Sequence, residues 1–87
     1  MMDANDVIFY PLMTESASLM VERDNKLLFI VNPKAGKGDV KKAVEELYAV
    51  KVDRVNVLTT SQGKKKAFVK LNSEFKASDV AIKLGIL

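Results

Sequence analysis

The six residues Lys26–Val31, KLLFIV, put apolar side chains on both sides of an extended chain. A segment of that kind needs cover on two faces and reads as the central strand of a sheet. The other elements therefore have to be placed around it. In a chain of 87 residues they suffice for one modest core, so a single domain over residues 1–87 is expected, without a deep cleft between lobes. Hydrophobic residues make up 48% and charged ones 29%, which is globular rather than disordered composition.

The flanking segments show where the neighbours lie. VIFYP gives a first strand, Val7–Tyr10, halted by Pro11, whose nitrogen has no hydrogen to donate. Thr14 is placed to cap a short helix, with Glu15 at the positive end of its dipole and Ala17, Met20 and Val21 on one face. RDN, Arg23–Asn25, supplies the turn into the central strand. Beyond the glycine-containing loop, Asp39 is expected to cap the clearest helix, Asp39–Ala49. There Val40, Ala43, Val44, Leu47 and Tyr48 recur at helical spacing. Residues 52–60 then alternate, with Val55 and Val57 on one side and Arg54 and Asn56 on the other. SQGKKK marks a hairpin, and in Ala67–Leu71 the residues Ala67, Val69 and Leu71 point inward while Phe68 and Lys70 point away. Ser78 or Asp79 caps a last helix, with Val80, Ile82 and Leu84 available for burial and Gly85 as its stop. The order β, α, β, α, β, β, α, with the last strand slotted between the second and third, predicts an α+β fold. Its sheet is antiparallel and four-stranded, in order 1-2-4-3, with helices packed on it and a split βαβ unit.

Composition removes several chemistries. The chain has neither cysteine nor histidine, so thiolate chemistry, Cys/His zinc sites and the usual neutral-pH base are absent. The apolar run Leu27–Val31 is too short to span a bilayer, and MMDANDVIFY opens with acids where a signal peptide needs cations. A cytoplasmic protein with no membrane insertion is expected. Charge is unevenly placed: residues 1–25 hold five acids and one base, net −4, and residues 26–87 hold thirteen bases and six acids, net +7. That asymmetry suggests one anion-facing surface and another surface left for a different partner.

The loop in FIVNPKAGKG, between a strand and a helix, has the parts of a phosphate cradle. A Walker loop, however, needs glycine five residues before Gly36 and Ser or Thr after Lys37; Val31 and Gly38 stand there instead. IVNPKAGKG also looks like the opening of the nucleotide lobe of diacylglycerol and related lipid kinases, but their downstream glycine-aspartate-glycine signature is missing and the chain is far shorter. A nucleotide-binding enzyme fragment using the 32–38 loop is thus the alternative to a polyanion surface. Lys41 and Lys42, if they lie in the first helical turn, oppose the dipole by about 0.3–1 kcal/mol each, which a neighbouring polyanion offsets.

Five segments in order, YPLMTESAS, NKLLFIV, KKAVEELYAVKVDRVNVL, GKKKAFVKL and ASDVAIKLGIL, span nearly the whole chain. Together they resemble the universal large-subunit ribosomal protein family numbered twenty-three, in its archaeal and eukaryotic form. Ser16 stands where that family usually has lysine, Val57 where it favours threonine, and PKAGKG is richer in glycine. The resemblance implies a structural protein with no catalytic residue, cofactor or metal. It would bind large-subunit rRNA beside the peptide exit tunnel, among neighbouring large-subunit proteins, and offer a dock for signal recognition particle. SQGKKK is short beside the tunnel-reaching extension of bacterial relatives, which leaves its tunnel role open. Lys26, Lys34, Lys37, Lys41, Lys64, Lys65 and Lys66 are assigned to phosphates, where lysine releases counterions without reading bases. Arg54, Asn56 and Lys70 are placed to meet sugars or bases. Two fates are open for Phe68: stacking on a base, or lying under a helix. Glu15 matches the acid of the family's docking helix, and as a helix N-terminal acid it also stabilises the dipole.

Overall fold

The computed structural model describes residues 3–12 and 14–85. Its elements are α1 (Ala4–Val7), β1 (Ile8–Pro11), α2 (Glu15–Asp24), β2 (Lys26–Val31), α3 (Lys37–Tyr48), β3 (Val52–Thr59), β4 (Lys65–Leu71) and α4 (Ala77–Leu84). The sheet order is β1-β2-β4-β3, as the element order and connectivity predict, and every neighbouring pair is antiparallel. β2 pairs with β4 without a break from Lys26↔Lys70 to Val31↔Lys65, which seats KLLFIV in the interior of the sheet.

Period-2 alternation sorts the strands into two faces. Leu27, Phe29 and Val31 on β2, with Ala67, Val69 and Leu71 on β4, belong to one buried cluster. Val21 of α2, Val40, Ala43 and Val44 of α3, and Ala77, Val80 and Ala81 of α4 join the same cluster, so all three longer helices contribute to the core on that side. Phe29 is fully buried, and Tyr48 at the end of α3 stacks on its ring with centroids 5.8 Å apart and planes 12° from parallel. Glu45 fastens α3 to β3 by accepting the Val52 N–H at 3.0 Å.

Several termini differ from the sequence expectation, each for a local reason. Val7 closes a one-turn helix instead of opening β1: the Asp6 and Val7 N–H groups both donate to the Asp3 carbonyl. Thr14 does cap α2, its hydroxyl accepting the Ala17 N–H at 3.1 Å. The helix continues through Arg23 and Asp24, and the turn is made by Asn25 alone, in the left-handed conformation at φ 55°. α3 begins at Lys37 with Gly36 as N-cap, so Asp39 is the third helical residue; its carboxylate reaches back to accept the Gly36 N–H at 3.0 Å. Lys41 and Lys42 therefore lie beyond the first turn, and the opposing cation at the helix start is Lys37. α4 starts at Ala77, and neither Ser78 nor Asp79 is its N-cap. Asn25 takes over from afar, its Oδ1 accepting the Ala77 N–H at 2.6 Å. Ile82 is 61% exposed, because two residues past Val80 is roughly 200° around a helix; Ala81 and Val80 fill the inner face. Gly85, at φ 79°, ends α4.

Candidate nucleic-acid interface

The second face of the sheet is built differently. Lys26 of β2 stands directly opposite Lys70 of β4, and Arg54 of β3 flanks Lys70 on its other side. Three cations thus lie abreast across three strands. The next rank up the sheet is Leu28, Phe68 and Asn56, and the one above it Ile30, Lys66 and Leu58, with Tyr10 of β1 beside Ile30. Leu28 and Ile30 are buried, Lys26, Lys66, Phe68 and Lys70 are half-buried, and Arg54, Asn56 and Leu58 are exposed. None of these residues belongs to the buried cluster beneath the helices.

Like charges directly opposite each other on a sheet lower stability. Two such adjacencies in one rank, Lys26 beside Lys70 and Lys70 beside Arg54, leave a concentrated positive strip. The depression at the foot of the sheet is lined by Arg23, Asp24, Lys26, Asp53 and Lys70, so two carboxylates border the strip on that side.

The remaining cations assigned from sequence gather at the opposite end. Lys34 is exposed in the loop after β2, Lys37 is the first residue of α3, and Lys64 sits at the end of the β3–β4 hairpin, where its ammonium donates to the Tyr10 hydroxyl at 3.4 Å. Gly63 shapes that hairpin at φ 81°. Lys65 is set apart by parity: it shares the side of Ala67 and Val69, and its ammonium donates to the Ala35 carbonyl at 2.6 Å, tying the hairpin to the glycine loop. Lys41 lies on α3, exposed, away from the open sheet face.

The same loop shows why a nucleotide phosphate is a poor match. The Gly36 N–H is already taken by the Asp39 carboxylate, the Lys34 N–H by Asn32 Oδ1 at 2.9 Å, and the Ala35 N–H by the Asn32 carbonyl. An anion arriving at this helix start would compete with the chain's own carboxylate. What the molecule presents is a cationic sheet face with a central aromatic, not a cradle.

Comparison with known proteins decides between these readings. The family described as Ribosomal protein L23 matches residues 6–84. The large ribosomal subunit protein uL23 of the archaeon Methanococcus aeolicus is 49% identical over 85 residues, covering 98% of this chain and 99% of its own. The chain belongs to the ribosomal protein L23 family. As an L23 protein it is a structural component of the cytoplasmic ribosome and not an enzyme, and the nucleotide-enzyme alternative falls with that. No helix among the described residues is long and apolar enough to cross a membrane.

Glu15 is the first residue of α2 and is exposed, with Leu19 one turn on and 47% exposed. The rank Lys26–Lys70–Arg54 is what sequence reasoning did not assemble. Sequence alone places Arg54, Asn56 and Lys70 on or beside one sheet face and assigns Lys26 to phosphate; the adjacency of Lys26 to Lys70 depends on register. Pairing Ala67 with an inward residue of β2 would have exposed it, and the same alternation would have set Lys65 apart from Lys66.

Proposed function

We propose that this chain is a structural protein of the large ribosomal subunit that binds large-subunit rRNA through the open face of its sheet. The observation that carries this is the cation rank Lys26–Lys70–Arg54, three positive side chains held abreast at a cost in stability that a polyanion offsets. Lys66 extends the strip and Asn56 supplies an amide beside it. Lys34, Lys37 and Lys64 continue the phosphate contacts around the loop end of the sheet, with Lys41 one turn further along α3. Lys65 supports that rim by holding the glycine loop in place. The name of the archaeal relative supports placement in the large subunit, and the sequence resemblance supports a position beside the peptide exit tunnel among other large-subunit proteins. Purifying ribosomes in high salt tests the reading: the protein is expected to sediment with the large subunit, and a wholly free pool would overturn it.

The acidic N-terminal part of the chain is left for factors that meet the emerging polypeptide, signal recognition particle among them. Glu15 and Leu19 together offer a charge and an apolar contact on one exposed helix face. Glu15→Ala is expected to spare rRNA binding and to weaken docking of signal recognition particle on the assembled ribosome. Equal affinity before and after the change would remove Glu15 from that role.

A further inference from the structure

The open face has a centre as well as a charged strip. Phe68 lies on β4, between β2 and β3, with Leu28 directly opposite on one side and Asn56 on the other. Lys66 and Lys70 stand two residues before and after it on the same face. Its ring is half-buried, and the core cluster that gathers α2, α3 and α4 does not include it. An aromatic in that position, beside an aliphatic cross-strand neighbour and with a lysine two residues to either side on the same face, has the composition of a stacking platform. Duplex RNA offers it only phosphates and groove edges, since paired bases are already stacked. An unpaired nucleotide offers a free ring face for Phe68, a Watson–Crick edge for the Asn56 amide and a phosphate on each side for Lys66 and Lys70.

We infer that Phe68 is the stacking residue for an unpaired base, splayed out of its helix, at the centre of the rRNA surface. This rests on the rRNA reading above and narrows it from a polyanion to a single-stranded element such as a bulge or loop. Recognition is by stacking and phosphate contact, so it tolerates different bases at the site. The affinity it supplies is independent of salt, whereas that of Lys66 and Lys70 falls as salt rises.

The chain has no tryptophan, so Phe68→Trp installs a single fluorophore at the site. Full-length Phe68→Trp protein is titrated in low salt with three probes: deproteinised large-subunit rRNA, a single-stranded 12-nucleotide oligouridylate, and a 12-base-pair RNA duplex, the last two end-labelled so that binding is also read by anisotropy. Stacking predicts saturable tryptophan quenching by the rRNA and the single strand, and binding without quenching by the duplex. Phe68→Leu is expected to weaken single-strand binding roughly 5- to 100-fold with an unchanged salt slope, and Phe68→Tyr to restore it. Circular dichroism and thermal unfolding of each variant confirm that the sheet is intact. If Phe68→Leu, folded, binds the single strand as tightly as the native chain, or if the duplex quenches equally, the stacking inference is overturned while rRNA binding stands. If the native chain binds none of the three RNAs, the rRNA reading itself fails.

Discussion

The two faces of this sheet are made from the same strands yet answer to different demands. On the helix-covered side, Leu27, Phe29 and Val31 meet Ala67, Val69 and Leu71, and every one of them is buried. On the other side the intervening residues give Lys26 beside Lys70, Leu28 beside Phe68 and Ile30 beside Lys66. One residue of register separates the two sets. The first is chosen for burial, and substitutions there act on folding. The second keeps cations adjacent where folding alone would separate them, and on the proposed rRNA reading substitutions at its lysines act mainly on binding. One sheet can carry a buried set and a cationic set because alternation keeps them on opposite sides.

That contrast can be broken most forcefully at Phe29. Truncating this fully buried ring to alanine, which also removes the stack with Tyr48, is expected to lower stability by about 3–5 kcal/mol. Thermal unfolding checks it, and a loss under 1 kcal/mol would mean the core is not where the helix-covered face puts it. Next in size is Asn25, where α2, β4 and α4 converge: its Nδ2 donates to the Phe75 carbonyl at 2.9 Å while its Oδ1 accepts the Ala77 N–H. Asn25→Ala strands those partners and is expected to cost about 1–3 kcal/mol in urea unfolding. It acts on the covered side, so native-state rRNA affinity should be little changed.

Lys70 provides the opposite sign. Replacing it with glutamine relieves both like-charge neighbours and is expected to raise stability by about 0.2–1 kcal/mol. The same change should weaken rRNA binding and make the plot of log affinity against log salt shallower by about 0.7–0.9. A variant that loses stability and keeps the salt slope would mean that Lys70 serves folding and not RNA binding. The smallest effect concerns alkaline pH. Burial pushes the Tyr48 hydroxyl above its usual value of 10.0, so the folded chain holds this proton after the unfolded chain has released it. Its contribution is therefore constant below about pH 10 and falls as pH rises from there toward the higher folded value. Tyr48→Phe should lose less stability than the native chain as pH rises above about 10, measured as the difference in their stability slopes there.

Much of the fold was legible because the sequence alternates cleanly where the strands alternate. KLLFIV as the interior strand follows from its unbroken apolar run, the hairpin at SQGKKK from its turn residues, the inward set Ala67, Val69 and Leu71 from side-chain period, and strand order from chain connectivity. The element ends were less legible, since they are settled by single hydrogen bonds. Asp39 looks like a cap in sequence, but the backbone around Gly36 lets the helix start earlier and uses the carboxylate from inside. The start of α4 depends on Asn25, and no local pattern announces a partner so far along the chain. Val80, Ile82 and Leu84 recur at a spacing that suits a strand rather than a helix, which is why Ile82 lies outside on α4. The site follows the same division. The residue types were visible in the sequence, and the rank they form was not, because adjacency across β2, β4 and β3 is a property of pairing.

Whether RNA lies on the open sheet face is read by lysine acylation and mass spectrometry, on the free protein and on its complex with deproteinised large-subunit rRNA. Lys26, Lys66 and Lys70 are expected to lose reactivity on RNA binding, while Lys51, Lys76 and Lys83, exposed around α3 and α4, keep theirs. Protection confined to Lys51, Lys76 and Lys83, with the open-face lysines as reactive as in the free protein, would contradict the account.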